Sequence, residues 1–446
     1  MKKLSLIAVL FCLLTINIIA QDSQAFSLEQ AQSYALEHNY EKINTDKDLL
    51  IAKKKVWETT GIGLPQVDVE AKLQNFIDLP TSLVPASAFN PAAPADEYAE
   101  LQFGTDWNNT VGISATQLLF DGSYLVGLKA SKIYKQYAEQ NVAKTEIEVK
   151  ENVAQAYYLA LVAQENKKIL EQTAKTTQDL LEQTTRVYQE GLAEEQSVDQ
   201  LKLTLTEIEN SLTNANRQII ISLNLLKFQI GMDISNKVEL TDDIDKLLIF
   251  KNKENPLSNN FDFSSHIDFQ LIKTNEHLMK LNWSKEKFAF APSVAAFFNH
   301  QQQNMSNDFD AFSGGNWYPQ TLWGLSLKLP ILSGTTRFAK TSQAKIEYLK
   351  AQTQVKQVEQ SLQLQAQQKQ AEYVSALDIY NNNKEGLNIA EKINNQSIKK
   401  YNEGVISSLE LAQTQNQYLQ IEAKYIKALL DLFNAKSNLN KALGTK

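Results

Sequence analysis

The chain states one pattern twice, and a duplication of that extent constrains the fold before any single residue does. Residues 111–122, VGISATQLLFDG, return as WGLSLKLPILSG at 323–334. YQEGL at 188–192 returns as YNEGV at 401–405, and Gly231, which closes a long helical pattern, returns as Gly444. The offsets are 212, 213 and 213 residues. Each half must therefore build the same unit, a pair of apolar-alternating strands and two helices of very different length. The expected organisation is a first structural repeat over 21–235, an inter-repeat linker over 236–263 and a second repeat over 264–446.

Proline and glycine placement divides the chain further. All nine prolines lie in 65–94 or 256–330. Between Ser123 and Gln189 the only glycine is Gly127, and between Thr335 and Asn402 it is Gly386. Two runs of roughly 65 residues, rich in Ala, Leu, Gln, Glu and Lys, predict very long helices. At about 1.5 Å per residue each spans about 100 Å, too long to stand without lateral packing in a bundle or coiled coil. After each YxEG turn a second helix is predicted, over 197–230 and 407–443. Before each strand pair a third is predicted, over 28–59 and 265–288. The two shorter helices together match the long one, so the simplest packing stacks them end to end beside it. The first of them opens with a capping box from Ser27 to Gln30.

Between helices lie the strands. In 66–74, Val67, Val69, Ala71 and Leu73 alternate with Asp68, Glu70, Lys72 and Gln74. In 323–331, Trp323, Leu325, Leu327, Leu329 and Ile331 alternate with smaller or polar residues. The alternation is less clean in 111–119 and weaker still in 293–299. About ten residues suffice to cross a bilayer as a tilted strand. Trp107, Trp317 and Trp323 are expected near strand ends, where interfacial aromatics belong. A half-buried soluble sheet fits the same alternation. If the strands do cross a membrane, four cannot close a barrel alone and a lipid-facing sheet keeps no open edge. Three chains sharing one barrel would supply twelve. The Pro-rich stretch 77–106 and the stretch 305–317 read as irregular loops on the outer side, which leaves the helices on the periplasmic side.

Residues 1–20 read as a secretory signal. Lys2 and Lys3 precede an apolar stretch over 4–19, and Ala20 is a plausible cleavage point; a retained anchor is the alternative. The only cysteine, Cys12, lies inside that segment, so the mature chain has no disulfide. Loss of Lys2 and Lys3 takes the formal net charge from −7 to −9, which argues against nucleic acid as a partner. His38, His266, His277 and His300 are scattered without metal-ligand spacing. There is no phosphate-cradling glycine loop and no nucleophile elbow. The expectation is a protein that is not an enzyme and that carries no metal or cofactor.

The layout resembles the TolC-type outer-membrane efflux channels over essentially the whole mature chain. The residues that carry the resemblance are the opening FSLEQAQSYALEHN, the corner GLPQV at 63–67, LLFDG at 118–122, the turns YQEG and YNEG, and NLNKALG at 438–444. The resemblance implies a mainly α fold with a small β part. Long-helix hairpins form an α-helical tunnel, and four strands per chain contribute to a twelve-stranded outer-membrane β-barrel shared by a homotrimer. It implies outer-membrane lipid around the barrel, and docking on a periplasmic adaptor (membrane fusion) protein and an inner-membrane pump. Drugs, metal cations and secreted polypeptides all remain open as cargo. A periplasmic coiled-coil adaptor or structural scaffold is the alternative function, and an adhesin a third.

The turns carry the candidate site. Glu190, Glu194, Glu195 and Asp199 stand around the first, Glu403 and Glu410 around the second. In the resembled family an acidic ring on the helix after the second turn narrows the periplasmic entrance, and Glu410 matches one such position. Gln413 stands where the neighbouring acid is expected. Ile406 stands where a basic latch residue often lies. Glu410 also fits a capping box with Ser407, with its carboxylate on a backbone N–H, so capping and pore-facing readings are both open. Tyr188, Gly191, Tyr401 and Gly404 are the expected adaptor-docking turn residues, the glycines also serving simply as turn residues that tolerate positive φ. The amide-rich run 360–370, QSLQLQAQQKQ, suits either a solvated outer face or a pore lining that does not trap solutes electrostatically.

Overall fold

The computed structural model describes residues 24–92, 94, 96–248, 262–309 and 316–444. The expected signal segment with Cys12 and the KNKENPLSNN stretch lie outside the described residues. The elements in order are β1 (Gln24–Phe26), α1 (Leu28–His38), α2 (Tyr40–Gly61), β2 (Gln66–Asn75), β3 (Thr81–Pro85), β4 (Tyr98–Gln102), β5 (Trp107–Asp121), α3 (Gly122–Gln189) and α4 (Glu195–Ile230). Then follow β6 (Val238–Leu240), α5 (Ile244–Leu248), α6 (Ile267–Phe288), β7 (Ser293–Ser306), β8 (Trp317–Lys328), α7 (Thr336–Asn402) and α8 (Ser408–Leu443). The chain is mainly α with a small β part, and the two long helices run 68 and 67 residues. They form two compact units. One takes the segments up to Leu49, Ala138–Lys273 and from Gln354 onward; the other takes Leu50–Tyr137 and Thr274–Thr353.

The first unit is helical. Its main apolar core gathers Val149, Val153, Tyr157 and Leu161 of α3, Leu226 and Ile230 of α4, and Leu429, Leu432 and Phe433 of α8. Tyr158 stacks on Phe433 at 4.4 Å between ring centroids. The capping box at the start of α1 is complete: Gln30 N–H donates to Ser27 Oγ at 3.2 Å and Ser27 N–H to Gln30 Oε1 at 2.9 Å. The single helix expected over 28–59 is instead two. Asn39 adopts an extended backbone, φ −64° and ψ 131°. Its Oδ1 accepts from the N–H groups of Glu41 and Lys42, which caps α2, while its Nδ2 donates to Gln229 O at 2.8 Å. An N-cap asparagine in mid-pattern ends one helix and starts the next, and apolar periodicity does not see it.

The junctions of the shorter helices are tight. At Gly231, φ +75°, an added Cβ would lie 2.0 Å from His38 O. At Gly444, φ +64°, it would lie 3.3 Å from the His266 ring. Both glycines therefore end their helices in the left-handed conformation and leave room for a neighbouring chain end. Part of the segment expected as linker is structured: Val238–Leu240 pairs in parallel with Gln24–Phe26. The buried Tyr157 hydroxyl fixes this pair, donating to Phe26 O at 3.0 Å and accepting from Asp242 N–H at 3.3 Å.

The second unit carries a four-stranded antiparallel sheet in the order β2-β5-β7-β8. Its register places Val67, Val69, Ala71 and Leu73 on one face with Ala115, Ile113 and Val111. That face continues through Phe298 to Trp323, Leu325 and Leu327. The other face carries Asp68, Glu70 and Lys72, then Thr110 and Ser114, then Asn299, Gln301 and Gln303, then Gln320 and Ser326. Gln303 Nε2 donates to Asn108 Oδ1 at 2.8 Å across it. The third strand, faint in sequence, is 14 residues long. His300 and Gln302 on its apolar face blunt the alternation. Pairing on both sides satisfies its backbone regardless. Trp107 and Trp317 begin their strands, whereas Trp323 lies mid-strand because β8 starts six residues earlier than the alternation suggests. The stretch expected as an irregular loop over 77–106 holds a hairpin, with Leu83 opposite Glu100. Five-residue strands between prolines are too short for a period to register.

Candidate functional site

The two helix turns are built alike. At the end of α3, Leu192 N–H donates to Val187 O and Gly191 N–H to Tyr188 O. At the end of α7, Val405 N–H donates to Lys400 O and Gly404 N–H to Tyr401 O. This is the two-bond closure that a left-handed glycine allows, with Gly191 at φ +75° and Gly404 at φ +71°. Neither glycine has a neighbour within 4 Å of the position a Cβ would occupy. A small apolar cluster of Leu180, Leu201 and Leu411 holds both turns, with Ile398, Tyr401 and Ile406 packed on it. Ile406 thus contributes apolar contact where a basic latch could have stood.

The structure separates the two turn tyrosines that the repeat equates. Tyr401 is half-buried and its hydroxyl lies 3.3 Å from Thr184 Oγ1, whereas Tyr188 is 40% exposed. Glu190, Glu194, Glu195, Asp199, Glu403, Glu410 and Gln413 are all exposed. Asp199 pairs with Lys202 at 3.3 Å, both well exposed, so that charge is partly compensated and the bond adds little stability. Glu194 is the N-cap residue of α4, but its side chain makes no capping hydrogen bond. The expected two-armed box at the start of α8 has one arm. Ser407 Oγ accepts from Glu410 N–H at 3.2 Å, and the Glu410 carboxylate stays in water rather than returning to the Ser407 N–H. The capping role therefore belongs to Ser407.

In the run 360–370, Leu362, Ala366 and Gln370 form a buried stripe four residues apart, and Leu364 is 64% exposed. Beside it α7 carries an open groove of about 600 Å³ lined by Gln367, Gln370, Ala371, Val374 and Ile379, among others. Across from the repeat, α4 exposes Ile220 and Ile221, each 60%, and Phe228, 55%. The sequence reading missed both surfaces, because each half was read as packing like the other. Among the described residues no cluster of His, Cys, Asp and Glu could hold a metal ion, and no helix is long and apolar enough to cross a membrane.

The long-helix hairpins, the duplicated turns and the open two-faced sheet coincide with a known family pattern. The family model for outer membrane efflux proteins matches residues 96–232 and 285–445, most of the chain. The chain belongs to the outer membrane efflux protein family. Its place is accordingly the outer membrane. Solved structures share the fold at low identity. CusC, whose structures concern folding and transmembrane channel formation, matches with a TM-score of 0.74 at 16% identity, covering 93% of this chain and 91% of that one. VceC of Vibrio cholerae matches at 0.69 and 16%, covering 94% and 96%. The open state of MtrE of Neisseria gonorrhoeae matches at 0.73 and 16%, covering 94% and 88%. No curated protein matches. This efflux-family chain is thus similar throughout to channel proteins.

Proposed function

We propose that three copies of this chain form a passive exit duct through the outer membrane, the last part of a tripartite efflux or type I secretion system. The observation that carries the reading is the sheet. One face is mainly apolar and the other mainly polar, with Phe297 and Leu322 on the polar one and His300 and Gln302 on the apolar one, and β2 and β8 are its unpaired edges. In lipid an unpaired edge leaves backbone groups unsatisfied at several kcal/mol each, so the edges must meet edges of other copies. Twelve strands then put Trp323, Leu325 and Leu327 toward lipid and Asn299, Gln301 and Gln303 of β7 toward the lumen.

The helices support the same assembly. Offset by 213 residues, the Tyr158–Phe433 stack maps onto Ala371 and Ile220. Phe433 is 1% exposed and Ile220 60% exposed. The α7 groove is therefore the seat for α4 of the next copy, which makes 21–235 and 264–446 structural repeats joined by 236–263. The turns face the periplasm. There Gly191 and Gly404, with Tyr188 and Tyr401, receive a periplasmic adaptor that links an inner-membrane pump. Glu410, flanked by Gln413, Glu403, Glu194, Glu195 and Asp199, lines the entrance and favours cations. Flow through such a duct needs no catalytic step.

The test is native mass spectrometry and planar-bilayer recording of the protein extracted in mild detergent. A trimer that conducts is expected. Recovery as a soluble monomer without conductance overturns the reading.

A further inference from the structure

One buried acid has no part in the duct as described. Glu422 of α8 is 2% exposed, and neither carboxylate oxygen has a hydrogen-bond partner. It does not stand in an apolar core. It lies between the main core, reached along α8 at Leu429, and the small cluster at the turns, reached at Leu411. In that interval buried polar groups on three helices stand among buried apolar ones such as Leu170, Ile208 and Ala390. α3 contributes Thr173 and Thr177, α7 Asn394, and α8 Gln415 and Glu422. Thr177 Oγ1, Asn394 Oδ1 and Gln415 Oε1 also lack partners. Among the described residues the stretch between the two apolar clusters thus carries several under-bonded buried polar groups.

An ionised carboxylate cannot stay in that stretch without a cation. None is there. The charged groups near this level, Glu171 and Lys175 of α3, Lys202 and Glu209 of α4, Lys384, Glu385, Glu391 and Lys392 of α7, and Lys424 of α8, are all exposed, and the Lys384 ammonium lies over the Tyr380 ring. On α8 the near titratable groups are Tyr418, pushed up to about 12 by burial and by Glu422 and Glu391 and held by Thr173, and Tyr425, pushed up by burial. Burial raises the Glu422 carboxyl to about 7, so the acid titrates within the range a periplasm meets.

We propose that Glu422 is a protonation-controlled joint in the helical wall, which packs α8 against α3 and α7 when neutral and loosens that level when ionised. The sign follows from linkage. The packed state holds its proton above the pH at which an exposed glutamate loses it, so stability is full below about 4.5 and falls as pH rises toward 7, levelling off above it. The loosened level lies between the main core and the turn cluster, so alkaline conditions free the entrance end. Only this consequence rests on the duct reading; the packing change belongs to a single chain.

The experiment is hydrogen–deuterium exchange on the full-length protein in detergent at several pH values from 6 to 8.5, corrected for intrinsic exchange, with the wild type beside Glu422→Gln. In the wild type, protection of residues 411–426 falls by about tenfold over that range, the factor for a carboxyl ionising near 7 when packed and near 4.5 when open. Protection in Glu422→Gln stays flat, and its melting temperature exceeds that of the wild type at the alkaline end. Wild-type protection in 411–426 that is constant with pH, or that rises, overturns the proposal even if the variant does not fold. A conductance that stays constant while protection falls removes the entrance consequence and leaves the joint.

Discussion

At the scale of single residues, Gly404 and Gly191 combine a strained backbone with empty space. A side chain at φ above +70° costs about 1 kcal/mol, and its Cβ meets no described residue within 4 Å. Gly404→Trp, and more weakly Gly191→Trp, should therefore leave trimer yield in the outer membrane near wild type and abolish export. Trimer yield beside host sensitivity to exported compounds measures both. Full export from both variants removes the turns as the docking surface. Glu410 makes a different case. Its carboxylate caps nothing, so Glu410→Gln should forgo only the helix-dipole gain of about 0.3–1 kcal/mol. In planar bilayers the same variant should lose cation selectivity, more at low salt than at high. Unchanged selectivity would place Glu410 outside the pore. Ser407→Ala, by contrast, should cost about 1 kcal/mol of stability with selectivity intact.

At the scale of elements, the break between α1 and α2 shows how one side chain redirects a helix. Asn39 gives its oxygen to two N–H groups of α2 and its amide to Gln229 O of α4. Asn39→Ala removes all three bonds at a site 7% exposed, which should cost about 2–4 kcal/mol by leaving donors and an acceptor buried without partners. Denaturant unfolding of the detergent-solubilised protein measures it, and a loss under 0.5 kcal/mol would mean that water replaces the bonds. The adjoining Gly231 is less forgiving. An alanine there meets the carbonyl of His38 and a left-handed backbone together, so the two helix ends would have to part.

At the scale of the whole molecule, the proposed barrel turns one face of the sheet to lipid and the other to the lumen. Leu325 and Ser326 are adjacent in β8 and point to opposite faces. Leu325→Lys puts a charge toward lipid and should cost about 2–4 kcal/mol of insertion if its level is near the bilayer centre, whereas Ser326→Lys faces the polar side and should insert normally. Folding into lipid vesicles, followed by protease protection, compares the pair. Equal insertion would mean that this sheet does not meet lipid. The proposed assembly also accounts for the apolar groups a single chain exposes: Trp323 at 79% would meet lipid and Ile220 at 60% another copy.

The amino-acid order alone determined the features whose causes are local. Long runs without proline and nearly without glycine made the two long helices. Gly191, Gly231, Gly404 and Gly444 ended helices because only glycine takes the left-handed turn readily. Alternation at 66–74 marked a strand, and Ser27 with Gln30 marked a helix start, each within a few residues. Tertiary structure decided whatever depends on which neighbour covers a face. It split the first helix at Asn39, because the amide found Gln229 across the fold. It paired residues 24–26 with 238–240, more than two hundred positions apart, around a buried tyrosine. It made Tyr401 a packed residue and Tyr188 an exposed one, though the repeat writes them alike. And it enclosed Glu422 while leaving Glu209, its counterpart 213 residues earlier, in water. Duplicated sequence fixes the same local geometry twice, but burial is a property of surroundings, and the two halves of one chain do not have the same neighbours.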